Sequence, residues 1–195
     1  MGLPKGILDQ LLPQFFLRRQ VLCMSDIVGD IQEQITQAIL GLNLLSKDPI
    51  KLIIDSVGGT VLQGRWIADA VRCSEAPVHG LVVGAAYSMA FWVLQNCQRR
   101  MCYPHARFMF HGYDMKSYRC DEPKFLEQAQ KNMQSHREDL DFVIRRTHQS
   151  LDKWQEWSRN ERYFSANEAL ELGIIDEIIK PEPISGLDEI HQVSS

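Results

Sequence analysis

Apolar residues recur at two alternating spacings along the chain, and the alternation predicts the order of its elements. From Asp30 onward, Ile31, Ile35, Ile39, Leu42 and Leu45 return every three or four positions, which predicts an amphipathic helix over about 29–45. Ile50-Lys51-Leu52-Ile53-Ile54-Asp55 then reads as a strand rich in β-branched residues, closed by Ser56-Val57-Gly58-Gly59. Val61, Trp66, Ile67, Ala70 and Val71 carry a second helix to about Cys73, and Pro77 introduces a valine-rich strand that ends at Ser88. Met89-Ala90-Phe91-Trp92 continues as helix. Upstream, Val21-Leu22-Cys23-Met24 is a short strand; downstream, Arg100-Met101-Cys102-Tyr103 is another. Arg107 to His111 alternates as a half-buried strand does, with Phe108 and Phe110 on one face and Met109 and His111 on the other.

The longest helix is expected over about 122–147. Its acidic start and its Arg145, Arg146 and His148 end complement the helix dipole, and Phe125, Leu126, Ala129, Met133, Leu140, Val143 and Ile144 form its apolar stripe. A helix this long on a domain this small should project and offer an oligomer contact. Ser150 to Trp157 forms a short helix with Trp154 and Trp157 on one face. Ser165 and Glu168 have capping-box spacing before another helix that Gly173 stops, and Ile174-Ile175 with Ile178-Ile179 makes a last short strand.

Strand, helix, strand, helix in this order argues for an α/β domain with a mainly parallel sheet and right-handed crossovers. Reactive groups in such sheets gather at the carboxyl ends of the strands, where Gly58-Gly59 and Ser88 both fall. At 195 residues the chain is one domain, read here as residues 21–181. Residues 1–20 precede it as an apolar segment in which Pro4 and Pro13 forbid one continuous helix, and 182–195 form a polar, frayed tail.

Composition removes several function classes. A net charge of -4 with isolated Arg pairs gives no footprint for nucleic acid. No apolar run approaches the ~18 residues of a membrane span, and the opening residues do not read as a secretory signal. Cys23, Cys73, Cys97, Cys102 and Cys120 are an odd number without metal-ligand spacing and read as reduced thiols, mostly packing residues. No P-loop, dinucleotide fingerprint or metal cluster occurs. The expectation is an intracellular, cytoplasmic protein without a cofactor of its own.

Ser88 is the first candidate for chemistry. A hydroxyl where a strand turns into a helix sits beside the unpaired N–H groups of the first helical turn, which can stabilise an oxyanion; it can equally cap the helix. His111, alone at a strand end, is open to the roles of base or structural donor. Gly58-Gly59 is either a tight turn or a place where another group approaches the backbone.

Ile54-Asp55-Ser56-Val57-Gly58-Gly59, Ala86-Tyr87-Ser88-Met89-Ala90, Phe108-Met109-Phe110-His111 and the block from Phe164 to Asp176 together resemble the ClpP family, the proteolytic subunits of ATP-dependent Clp proteases. The resemblance spans about residues 20–180. It implies a ClpP/crotonase-type fold, with the helix at 122–147 as the family's handle, and serine peptidase chemistry. Ser88 would be the nucleophile and His111 the general base, with the N–H groups of Gly59 and Met89 as oxyanion hole and Gly58 shaping the turn. The position aligned with the third triad member holds Glu161 where the family has aspartate; Asp114, three residues after His111, is the competing acid. The resemblance also implies a self-compartmentalising endopeptidase: heptameric rings, commonly stacked as a tetradecamer, supplied with unfolded polypeptides by a Clp-type AAA+ ATPase. ATP would be used by that partner alone, and the segment 1–20 would serve partner or pore contacts.

This chain departs from the family at Glu161, at Arg159-Asn160 where the family has Asp-Arg, and in the bulkier, charged segment after His111. The departures keep open a non-catalytic ring subunit. An acyl-CoA-processing enzyme of the crotonase type ranks last, because that class needs no Ser/His pair.

Overall fold

The computed structural model describes residues 13–112 and 122–180. Residues 1–12, Asp114, Cys120 and the tail from 182 lie outside the described residues, and so do the expectations that concern them.

The alternating pattern folds into the parallel core it predicts. Strands β1 (Gln20–Cys23), β2 (Ile50–Ser56), β3 (Val78–Tyr87) and β4 (Arg99–Cys102) lie side by side in that order, all parallel, with α1 (Ile31–Leu45), α2 (Val61–Arg72) and α3 (Met89–Asn96) as the crossovers between them. α1 buries Ile35, Ile39 and Leu42 of the predicted stripe and half-buries Ile31, while Leu45 at its end is exposed. α3 is buried on every side from Met89 to Gln95, which is why its eight residues are apolar almost throughout.

Past β4 the sheet forks. β4 pairs with the first half of β3, His79 to Val82, whereas β5 (Arg107–Phe110) pairs with its last residues, Ala85 to Tyr87, also in parallel. The β2–β3 register shifts between Ile54 and Ser56, and the Asp55 carboxylate fills the shift by accepting from the Ala85 N–H at 2.9 Å. Gly84 leaves the room this needs, since a Cβ there would meet Asp55 Oδ1. Beyond the shift, Ser56, Ala86 and Phe108 stand in one cross-strand row.

Two expectations need correction. Met109 is buried along with Phe108 and Phe110, so β5 does not have the half-exposed face its alternation suggested. The reason is β6 (Arg162–Ser165), absent from the sequence reading, which pairs antiparallel with β5 and covers it. The last strand, β7, is only Glu177–Ile178 on the outer side of β4, while Ile174 and Ile175 turn into the core.

α4 (Glu122–Thr147) buries Leu140 and Val143 near its end and leaves Leu126 and Met133 exposed. α5 (Leu151–Arg159) follows, and α6 (Ala166–Glu171) opens on the predicted Ser165–Glu168 capping box. Phe91, Phe110, Trp154, Trp157 and Phe164 form a continuous row of ring contacts, centroids 4.8–5.9 Å apart, that ties α3, β5, α5 and β6 together. Among the cysteines, burial pushes the thiols of Cys23 and Cys97 up to about 12 and that of Cys102 up to about 11, which leaves them as inert packing groups. No helix of the described residues is long and apolar enough to cross a membrane.

Candidate active site

The row Ser56–Ala86–Phe108 delivers three chain ends to one place: two or three residues beyond it stand Gly58-Gly59, Ser88 and His111. Ser88 follows β3 directly and precedes α3. Its backbone lies at φ 50°, ψ -119°, a region that costs a residue with a Cβ about 1–3 kcal/mol, and its N–H is tied to the Met109 carbonyl at 2.9 Å. Its side chain makes no cap hydrogen bond, so the helix-cap reading is set aside. Instead Ser88 Oγ lies 2.8 Å from His111 Nε2.

The imidazole's other nitrogen settles which way the proton lies. His111 Nδ1 is 2.5 Å from the backbone carbonyl of Gly112. A carbonyl oxygen only accepts, so Nδ1 must carry the hydrogen; in the neutral ring Nε2 is then the acceptor, facing the serine hydroxyl as a general base should. Gly112 is anchored in turn by donating its N–H to the Ser158 carbonyl at 3.1 Å.

Glu161 is not brought to His111. Its Oε2 accepts from Tyr163 Oη at 2.9 Å, an exposed contact at the start of β6. That hydrogen bond, with burial and the carboxylate's charge acting in the same direction, raises the Tyr163 phenol's pKa and keeps it a donor. Tyr163 is held in place by an edge-on ring contact with Tyr87 at 5.7 Å.

The glycine pair meets its steric demand. A Cβ on Gly58, at φ 95°, would sit 2.8 Å from both Met89 N and Ser88 Cβ and 2.6 Å from the Tyr87 carbonyl. The loop is pinned by Ile27 N–H donating to the Gly58 carbonyl at 2.6 Å and by Thr60 N–H donating to the Ile27 carbonyl at 3.0 Å. Gly58 N–H is spent on Ser56 Oγ at 3.1 Å. Gly59 N–H and Met89 N–H donate to no protein acceptor among the described residues, and Met89 is the first residue of α3, where such donors are left over. Met89 also lines a cavity of about 370 Å³ with Trp92, Arg65, Asp139 and Phe142. No group of three or more His, Cys, Asp or Glu side chains among the described residues could hold a metal ion.

The sequence reading missed the parts that back His111, namely the Gly112 carbonyl and the Ser158 main chain. One signal was present: a glycine directly after the histidine, at which a Cβ would meet the Ser158 carbonyl at 2.7 Å.

A hydroxyl on a strained strand-to-helix turn, a correctly protonated imidazole and two unclaimed N–H groups together make the chemical outfit of a serine hydrolase. The sequence model for Clp protease matches residues 6–182. Similar curated proteins include the ATP-dependent Clp protease proteolytic subunit of Pleurastrum terricola, 30% identical over 77% of this chain and 80% of the relative. ATP-dependent Clp protease proteolytic subunit 2 of Corynebacterium diphtheriae is 29% identical over 92% of this chain and 89% of the relative. The chain belongs to the Clp protease family, whose members are serine-type peptidases.

Proposed function

We propose that the protein is a serine endopeptidase that uses Ser88 and His111 as a dyad, with the Gly112 carbonyl in place of a third side chain. The observation that carries this is the 2.8 Å contact from Ser88 Oγ to an Nε2 that the Gly112 carbonyl leaves unprotonated. Ser88 Oγ attacks the scissile carbonyl as His111 Nε2 takes its proton. The oxyanion of the tetrahedral intermediate is met by the N–H groups of Gly59 and Met89, with Gly58 keeping the approach clear. His111 then gives the proton to the departing amine, and a water activated by the same nitrogen releases the acyl group. A carbonyl dipole stabilises the transient imidazolium less than a carboxylate charge does, so turnover should be modest.

By family, the substrates are unfolded polypeptides supplied by a Clp-type ATPase, and the working unit is a cytoplasmic ring of seven copies, single or stacked. Support for assembly comes from the exposed Leu40, Leu44 and Leu45 on α1, Leu62 and Trp66 on α2, and Met133 on α4, apolar positions that a lone domain gains nothing by exposing. A fluorophosphonate probe tests the chemistry, with the labelled species sized afterwards. Label on the assembled wild type that is lost in Ser88→Ala and His111→Ala is the expected result. An unlabelled assembled wild type would select the alternative, a non-catalytic ring subunit, which draws on Glu161 being held by Tyr163.

A further inference from the structure

The Gly112 carbonyl can hold His111 only if Gly112 is itself held, and the chain of contacts behind it ends on α4. Gly112 N–H donates to the Ser158 carbonyl at 3.1 Å. Ser158 Oγ donates to the Trp154 carbonyl at 2.7 Å, so its one hydrogen is spent and toward any other partner it must accept. That partner is His136, whose Nε2 lies 3.2 Å away and therefore carries a hydrogen. We infer that His136 is a positioning residue for the peptidase site: through Ser158 it fixes the end of α5, and with it the Gly112 carbonyl that sets the tautomer and aim of His111.

Two further observations fit this role. His136 comes from α4, outside the sheet that carries Ser88 and His111. Its imidazole is pushed to lower pKa by burial, with His111 adding to this and Asp139 on its own helix opposing it, which keeps the ring neutral at pH 7. A neutral ring next to His111 does not disfavour the imidazolium that catalysis must form, whereas a lysine or arginine at this place would. Asp139 is in turn paired with Arg65 of α2 at 2.8 Å.

The inference rests on the peptidase reading, and the test separates the two. Wild type, His136→Ala, His136→Gln, Ser158→Ala and Ser158→Thr are compared for kcat and KM on a peptide substrate, for fluorophosphonate labelling rate and for thermal melting. Loss of aim at the base should lower kcat and labelling about tenfold in both alanine variants, with KM changed by less than about twofold. His136→Gln and Ser158→Thr, which keep a donor and an acceptor, should recover most of that loss. Alanine variants that melt like wild type yet keep full kcat would overturn the inference, as would a glutamine variant as impaired as the alanine one. If His136→Ala fails to fold, Ser158→Ala and the two conservative variants decide by the same criteria. A wild type that takes no label would instead remove the peptidase reading, and this inference with it.

Discussion

Replacing Ser88 with glycine should leave a more stable protein than replacing it with alanine, the reverse of the usual order. Both substitutions delete the hydroxyl and its hydrogen bond to His111, so that loss cancels in the comparison. What differs is the backbone at φ 50°, ψ -119°. Alanine keeps a Cβ there and with it about 1–3 kcal/mol of strain, which glycine does not have. Glycine brings a cost of about 0.5–1 kcal/mol for its greater freedom when unfolded. The balance favours glycine by about 1 kcal/mol, which for a chain of this size is a difference in Tm of about 2–4 °C. Melting and urea unfolding of the two inactive variants at equal protein concentration would measure it, since assembly makes apparent stability concentration-dependent. An alanine variant as stable as the glycine variant, or more so, would mean that residue 88 is not held at positive φ. The strained-turn account of the nucleophile would then fail.

Three other outcomes are expected. Glu161→Ala should keep peptidase activity within about threefold of wild type, because its carboxylate serves Tyr163; a loss of a hundredfold or more in steady-state assays would place it on His111 during turnover. Gly58→Ala should abolish labelling, since the new Cβ would press on Met89 N and Ser88 Cβ, both at 2.8 Å. Burial alone would raise the Asp176 carboxyl, but hydrogen bonds and charge from Arg100 outweigh it and hold the group below its ordinary value. A depressed acid stabilises the fold above its unfolded pKa of about 4 and loses that contribution as pH falls through the folded value. Unfolding of Asp176→Asn followed against pH should therefore show a shallower loss of stability below about pH 4 than wild type.

The parallel core was legible because its residues are buried in a regular pattern. The run 50–56 alternates in burial along β2, and Ile35, Ile39 and Leu42 repeat along α1. β6 was not legible, because of its four residues Phe164 alone is buried and no period shows. Ser88 could be recognised as important but not assigned: a cap and a nucleophile ask for the same residue at the same junction, and only the backbone angle and the direction of Oγ separate them. Glu161 illustrates the opposite limit. Its position in the chain suits a triad acid, yet the exposed carboxylate is taken by Tyr163, two residues on, whose ring is steadied by Tyr87 from β3. The Gly112 carbonyl left only one faint mark, a glycine directly after the histidine, since every residue owns a carbonyl and a backbone acceptor adds nothing to composition.

The cross-strand row Ser56–Ala86–Phe108 works as a ruler with three arms of fixed length. Each reactive part is placed by how many residues separate it from the row, and in the first arm Gly58 must in addition stay without a Cβ. Divergence to about 30% identity from a curated relative can therefore leave the arms untouched. One residue gained or lost between Ala86 and Ser88 would do what many substitutions would not: it would turn the hydroxyl to the wrong side of the sheet while the domain around it still folded.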